Sequence, residues 1–161
     1  AVLPYLKKKY LKYEDYKEQT IGDIFSNEQL SQSVQSAAYM MQSMVFINNK
    51  KGAFTGSALP TPAQLSPMYG ISAGDFDSDG NIDILMGGNF YQSQPQVGIY
   101  DASYGVLLKG NGRGGFAAMT AQQSGINIRG AVRDIKVITI GKRKAMIVAK
   151  NNESVLMMQF Q

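Results

Sequence analysis

The chain has no cysteine, no histidine and no long apolar run. Without cysteine it can form neither a disulfide nor a thiolate metal site, and it has no cysteine nucleophile. Without histidine it lacks the commonest general base and the usual zinc ligand, which argues against transition-metal chemistry. No apolar stretch reaches the roughly 18 to 20 residues that a spanning helix needs, so we expect no membrane insertion.

Charge is sparse as well: 17% of the residues are charged, and the net charge is +4 over 161 residues. Basic residues cluster only at 7–9 and at 142–144, and tyrosines flank the first cluster. Nucleic-acid binding needs a basic patch or stripe on one face, so the sequence predicts no nucleic-acid partner. With 44% hydrophobic residues, the chain has the composition of one folded globular domain.

The most informative stretch is an acidic loop around Gly80. Calcium takes about six to eight oxygen ligands, supplied in such loops by alternate side chains and one backbone carbonyl. A glycine between them permits the sharp turn around the ion. The sequence therefore predicts one Ca²⁺ site, whose ligands are Asp75, Asp77, Asp79, Asn81 through its carbonyl, and Asp83.

The residues around this loop predict a β-hairpin rather than a pair of helices. A helix-loop-helix calcium site needs a glutamate where this chain has Met86. Short apolar runs at 68–73 and 84–88, bounded by glycines, are typical of strands. An acidic solvated turn is the alternative, since Asp, Gly and Asn are common in turns. We favour calcium because four carboxylates repel one another in so short a loop.

This arrangement resembles the FG-GAP or VCBS-type repeat of β-propeller proteins, such as the integrin α-subunit propeller. It is also similar to the ASPIC and UnbV group related to cartilage acidic protein. In those families a D-x-D-x-D-G-x-x-D loop binds calcium between two strands of a blade, and this sequence matches every ligand position. The resemblance spans Phe46 to Asn152. The resemblance implies a protein that is located at the cell surface, outside the cell or in the periplasm. It also implies that this chain is a C-terminal piece of a longer protein.

An internal repeat appears when the sequence is shifted by 62 residues. The matched pairs are Asn49 with Asn111, Gly52 with Gly114, Phe54 with Phe116, and Asn89 with Asn151. Repeats of this kind are typical of propeller blades or solenoid units. Residues 40–161 are therefore predicted to form two FG-GAP-type blades, a partial β-propeller.

The second copy lacks the metal loop, because the ligand positions of the first copy fall on Val137, Thr139, Gly141 and Ala145. Both copies carry a turn, at 48–54 and 111–116, in which Asn and Gly are expected to supply positive φ and Phe to enter the core. The glycines at 110–115 do not indicate a phosphate loop, since the lysine-serine or lysine-threonine pair is missing.

Residues 1–39 are predicted as an N-terminal helical segment with two helices. Leu6, Tyr10 and Tyr13 lie at helical spacing in the first. A capping box at 26–29 begins the second, which is expected to continue to Ala37 or Ala38. The tyrosines are interpreted as packing against the sheet rather than as a ligand surface. The first strand is predicted at 44–47.

A polar, aromatic loop at 87–105 is too long for a hairpin turn, and such loops are often functional or partner-facing. Two groups of residues are possible polar sites, although single pairs of this kind are more often structural. They are Asp101 with Tyr100 or Tyr104, and Arg129 with Arg133 and Asp134.

These observations favour a calcium-stabilised propeller segment, not an enzyme, that binds a protein or glycan ligand at a cell surface. The alternative is an accessory or terminal portion of a larger secreted enzyme whose catalytic residues lie outside this chain. Two blades cannot close a ring of about four to eight, so unpaired edges remain. We therefore also predict that the helices cover one sheet surface and that weak self-association occurs.

Overall fold

A computed structural model describes residues 4–141 and 143–159. The chain divides between Met40 and Met41 into two compact units. Strands hold 35% of the described residues and helices 18%. The fold is thus mainly β with a helical N-terminal segment, as the sequence predicts.

From residue 4 onward, the N-terminal unit contains four short helices instead of the two predicted. They are α1 (Pro4–Lys9), α2 (Tyr13–Lys17), α3 (Ile21–Ile24) and α4 (Asn27–Ser31). The capping box at Ser26 is confirmed: Ser26 Oγ accepts from the Gln29 N–H at 3.2 Å, and Gln29 Oε1 accepts from the Ser26 N–H at 3.0 Å. A second capping box, at Thr20, begins α3.

The continuation of the last helix to Ala37 or Ala38 is wrong, because α4 ends at Ser31. Ser31 Oγ and Ser33 Oγ donate to nearby backbone carbonyls at 2.9 and 2.7 Å. Such local bonds offer the backbone an alternative to the helix. Tyr10 and Tyr16 meet edge to face with centroids 5.6 Å apart, so two of the tyrosines pack on each other. The predicted packing of this unit against a sheet stays a prediction.

The second unit is built of antiparallel strands. In chain order its elements are β1 (Met44–Asn48), β2 (Phe54–Ala58), a 3-10 helix (Thr61–Gln64), β3 (Met68–Gly74), β4 (Asp83–Gly88), β5 (Val106–Gly110), β6 (Phe116–Ala118), α5 (Ala121–Ser124), β7 (Val132–Ile140), β8 (Arg143–Lys150) and β9 (Leu156–Gln159). Within the described residues these strands form three sheets, with strand orders β1-β2, β3-β4-β5-β6 and β7-β8-β9. The predicted first strand is therefore confirmed.

The sheets do not follow the sequence repeat. The 62-residue offset carries β1 through β4 onto β5 through β8, but the middle sheet joins the last two strands of the first copy to the first two of the second. Each copy thus crosses a sheet boundary, and one copy is not one blade. The number of propeller blades stays a prediction.

Two apolar clusters form the core of this unit. The first includes Leu85, Ile135 and Met146; the second includes Ala63, Met86 and Leu108. Burying a large aliphatic side chain stabilises the fold by roughly 1.5–3 kcal/mol. Two glycines allow the middle and last sheets to approach: a Cβ at Gly87 would lie 3.1 Å from Val132 Cγ1, and one at Gly70 would lie 2.8 Å from Ile135 Cγ1.

The two predicted hairpin turns share one geometry. The Asn49 side chain accepts from the backbone N–H groups of residues 51 and 53, and Asn111 does the same for residues 113 and 115, all at 2.8–3.1 Å. Positive φ falls on the glycines as expected, but in the first turn also on Lys50 rather than on an asparagine. The prediction that Phe54 enters the core is wrong. It is 64% exposed because β1-β2 has only two strands, whereas Phe116 packs on the second cluster.

Candidate metal centre

The acidic loop joins β3 to β4, and the predicted hairpin is confirmed. The two strands pair antiparallel up to Gly74 and Asp83, which face each other at the base of the loop. Pairing at this point brings the first and last aspartates together although they are eight residues apart. The sheet therefore closes the loop, and Gly80 turns it with φ +85°.

Three of the predicted ligands form a cluster that could hold a metal ion. Carboxylate oxygens of Asp75, Asp77 and Asp83 all lie within 4.8 Å of one another. Asp83 is buried, Asp75 is half-buried and Asp77 is exposed. Oxygen clusters of this size suit a hard cation such as Ca²⁺.

One oxygen of each early aspartate holds the loop backbone. Asp75 Oδ2 accepts from the Gly80 N–H at 3.0 Å, Asp77 Oδ1 from the Asp79 N–H at 3.2 Å, and Asp79 Oδ1 from the Asn81 N–H at 2.8 Å. These bonds fold the chain around its own carboxylates. Each aspartate consequently keeps its other oxygen available for a cation.

The second oxygen of each of these aspartates is the one that a cation could bind. Asp75 Oδ1 is buried and has no hydrogen-bond partner among the described residues. A buried carboxylate oxygen without a partner is costly, and a metal ion would satisfy it. Asp77 Oδ2 and Asp79 Oδ2 both bind the ammonium group of Lys109, the latter at 3.1 Å. The residues present thus fit a hard cation.

Asp83 has a different role from the other aspartates. Its Oδ2 accepts from the Phe76 N–H at 3.0 Å and its Oδ1 from the Gly110 N–H at 2.9 Å. It therefore fixes both the loop and the start of the second copy. The Asn81 side chain lies against Gly112, where an added Cβ would collide with its Oδ1 atom. The predicted ligand group of Asn81 is its backbone carbonyl.

The electrostatics of the loop follow from these bonds. The Asn81 N–H, and after it the Lys109 ammonium, hold the pKa of Asp79 below its usual value. The carboxylates of Asp77 and Asp79 raise the pKa of Lys109 well above its ordinary value. The sequence prediction missed Lys109. Lys109 is the only charged residue of β5, Val-Leu-Leu-Lys-Gly. A single lysine in an apolar strand was the sequence feature that could have indicated an acidic partner.

The second copy has a tight turn at the equivalent place. From Asp134 onward, strands β7 and β8 pair in one register as far as Ile140 and Arg143. Val137 and Thr139, predicted to replace two ligands, lie within β7, and Ala145 lies within β8. No eight-residue loop separates the strands, since only Gly141 and residue 142 lie between them.

Three of the other polar candidates surround one small cavity of about 150 Å³: Asp101, Tyr104 and Arg129. The Arg129 guanidinium lies 5.6 Å from the centre of the Tyr104 ring. Arg133 stacks on Tyr69 at 4.6 Å and donates to the Asn89 carbonyl at 3.1 Å. Asp134 pairs with Lys136 at 3.7 Å. The predicted grouping of Arg129 with Arg133 and Asp134 stays a prediction.

A buried asparagine holds both ends of the long loop between β4 and β5. Asn89 donates to the carbonyls of Ser103 (2.7 Å) and Gly130 (3.1 Å), and accepts from Ser103 N–H (3.0 Å) and Ser66 Oγ (2.8 Å). Phe90 and Tyr100 form a further bridge. The loop thus has fixed ends and an exposed middle. The sequence prediction recognised Asn89 as part of the repeat but not as this anchor.

One comparison with known protein families gives a match over part of the chain, including the acidic loop. Residues 23–86 match the family model described as an FG-GAP-like repeat. This match includes β1 through β3, the whole metal loop and β4 as far as Met86, and it covers less than half of the chain. No curated protein and no solved structure matches the chain. No helix in the described part of the chain combines the length and apolar character that a membrane crossing requires.

Proposed function

We propose that this chain is a calcium-binding segment of an FG-GAP-type β-propeller that serves as a binding module, not as an enzyme. The observation that carries the calcium part is Asp75 Oδ1, a buried oxygen without a hydrogen-bond partner among the described residues, beside the carboxylates of Asp77 and Asp83. The family match over this loop supports the same conclusion.

Asp75, Asp77, Asp79 and Asp83 would hold the ion with side-chain oxygens, and Asn81 with its carbonyl. When bound, calcium would neutralise the clustered carboxylates and cross-link β3 to β4. Carboxylates used in this way are poorly placed to exchange protons, so we assign them no catalytic role.

The propeller part of the proposal rests on how the sheets meet. The middle sheet has the four antiparallel strands of a propeller blade. Its first strand, β3, packs beside β7, the first strand of the next sheet, as expected for sheets arranged radially. The two-stranded sheet before and the three-stranded sheet after would be parts of neighbouring blades.

The binding surface that we propose is the loop at 89–105. Its middle exposes Val97, Ile99, Tyr100 and Tyr104, while Asn89 fixes its ends. Exposed aromatic side chains on a rigid support are typical of recognition surfaces. FG-GAP repeats are typically extracellular, and we infer a protein or glycan ligand outside the cell, at its surface or in the periplasm.

Calcium binding is tested by calorimetric titration of the metal-free protein. The proposal predicts one site with a dissociation constant at or below about 1 mM, the upper range of extracellular calcium modules. Absence of heat and of any competition with terbium luminescence would rule out the site.

Ligand binding is tested by a glycan array and a protein-interaction screen, run with the protein and with its Tyr100→Ala/Tyr104→Ala variant. Specific binding that this variant loses is expected. Turnover of any member of a hydrolase substrate panel by the chain would instead favour the enzyme alternative.

A further inference from the structure

The ammonium group of Lys109 binds two aspartates of the metal loop. It binds Asp77 Oδ2 and, at 3.1 Å, Asp79 Oδ2. The other oxygens of these two aspartates already accept loop N–H groups. Lys109 and a metal ion would therefore depend on the same two oxygens.

The two cations cannot share those oxygens at full strength. Calcium needs oxygen distances of about 2.3–2.6 Å, and an ammonium group bound to the same atoms would be left close to a divalent charge. Like charges at such separations repel. Occupation of the loop by calcium thus requires Lys109 to leave.

The fold keeps Lys109 close to the loop in either state. Its strand β5 pairs with β4 through Leu108 and Leu107, and the next residue, Gly110, donates its N–H to Asp83. Lys109 is consequently present at the site at a fixed effective concentration, whatever the protein concentration. The first copy has Ile47 at the equivalent position, so the lysine is a feature of the second copy alone.

We propose that Lys109 is a built-in competitor of calcium, which neutralises Asp77 and Asp79 in the metal-free loop and thereby sets the calcium affinity of the site. This inference rests on the proposed calcium function. Lys109 keeps the metal-free loop in its binding geometry and makes the site weaker than its carboxylates alone would make it. Strand β5 then carries a side chain whose position reports the occupancy of the loop.

The test is a calcium titration of wild type, Lys109→Met and Lys109→Gln by calorimetry, with melting temperatures in EDTA and in calcium. Both variants are expected to bind calcium about tenfold more tightly, which corresponds to about 1.4 kcal/mol. Both should also melt lower than wild type in EDTA, so that calcium raises their melting temperature by more. Lys109→Arg, which keeps the charge, should stay within about threefold of the wild-type affinity.

The matched control is Lys136→Met, because Lys136 is an exposed lysine paired with Asp134 away from the loop. It should leave the calcium affinity unchanged. Calcium binding with equal affinity in wild type and in both neutral variants overturns the role of Lys109 but leaves the calcium site standing. Absence of binding in all proteins overturns both. Calcium binding by the two neutral variants but not by wild type would support the proposal, because it would mean that Lys109 prevents calcium binding altogether.

Discussion

The Gly110 N–H donates to Asp83 Oδ1 at 2.9 Å, and this bond joins the metal loop of the first copy to the first strand of the second. The same carboxylate accepts from Phe76 at its other oxygen. Asp83 is 1% exposed. One residue is thus both a candidate metal ligand and a structural link between the two copies, so its loss should have consequences that do not depend on metal.

Asp83→Ala should destabilise the protein even in EDTA. The substitution leaves two backbone N–H groups without their acceptor, and a buried unsatisfied group costs about 1–3 kcal/mol. We expect a loss of about 2–4 kcal/mol in urea unfolding. Asp77→Ala is the control, because Asp77 is exposed and an ion pair in contact with solvent contributes little to stability. Equal losses in the two variants would contradict the structural role of Asp83.

Calcium should raise the unfolding temperature of the wild-type protein. With a dissociation constant of about 10 μM, about 1 mM calcium would stabilise the fold by roughly 2.7 kcal/mol. Calorimetric scans in EDTA and in calcium measure this shift. Asp79→Ala should abolish it, whereas Asp134→Ala should preserve it, since the Asp134 carboxylate binds Lys136 and the Ile135 N–H rather than a group of the metal loop. Identical midpoints in the two buffers would leave the loop as an acidic solvated turn.

Asn89→Ala should destabilise the fold and release the 89–105 loop. It removes four side-chain hydrogen bonds within a buried network, for which we expect a loss of about 3 kcal/mol or more. Limited proteolysis should then cleave the loop faster. Asn151→Ala is the matched control, because it occupies the equivalent position in the second copy. Cleavage rates unchanged by Asn89→Ala would show that the loop is held by other contacts.

The stability of α3 should depend on acid pH through Asp23. The Thr20 hydroxyl, followed by the Thr20 N–H, holds the pKa of Asp23 below its ordinary value. A depressed pKa contributes stability above the unfolded value of about 3.9, and this contribution is lost as the pH falls through the folded pKa. Thr20→Val should raise the pKa of Asp23 in an NMR titration, whereas Ser26→Ala should not. A pKa unaffected by Thr20→Val would rule out the hydroxyl as its main cause.

The acidic loop and its hairpin could be predicted from the sequence because all five predicted ligands lie within nine consecutive residues, 75–83. Their spacing can be recognised without knowing any distant contact, and the flanking strands have clear apolar patterns. Lys109 could not be placed in this way, because it reaches Asp77 only after β5 has paired with β4 across the 89–105 loop. Likewise, the strand order of the middle sheet depends on non-local pairing, so the 62-residue repeat suggested a blade boundary that the sheets do not have.

The helix lengths were predicted incorrectly for a local reason. The apolar spacing of Leu6, Tyr10 and Tyr13 is compatible with one long helix, but α1 ends at Lys9 and α2 begins after Lys12, which makes no side-chain cap hydrogen bond. Periodicity does not show such a break. Thr20 then begins α3, a helix that the sequence analysis did not predict. The exposure of Phe54 had no local signal either, since it depends on how many strands its sheet contains.

Removal of residues 1–38 should make the protein aggregate. The β1-β2 sheet has only two strands, and a two-stranded sheet is marginally stable by itself. An exposed edge with large apolar side chains is a site for pairing with another chain. The prediction that the N-terminal helices cover a sheet surface implies that their loss increases light scattering. Introducing Phe54→Ser into the truncated chain should restore solubility if this sheet is the origin. A truncated chain that remains monomeric, folded and as stable as the full chain would show that the helices do not protect the strands.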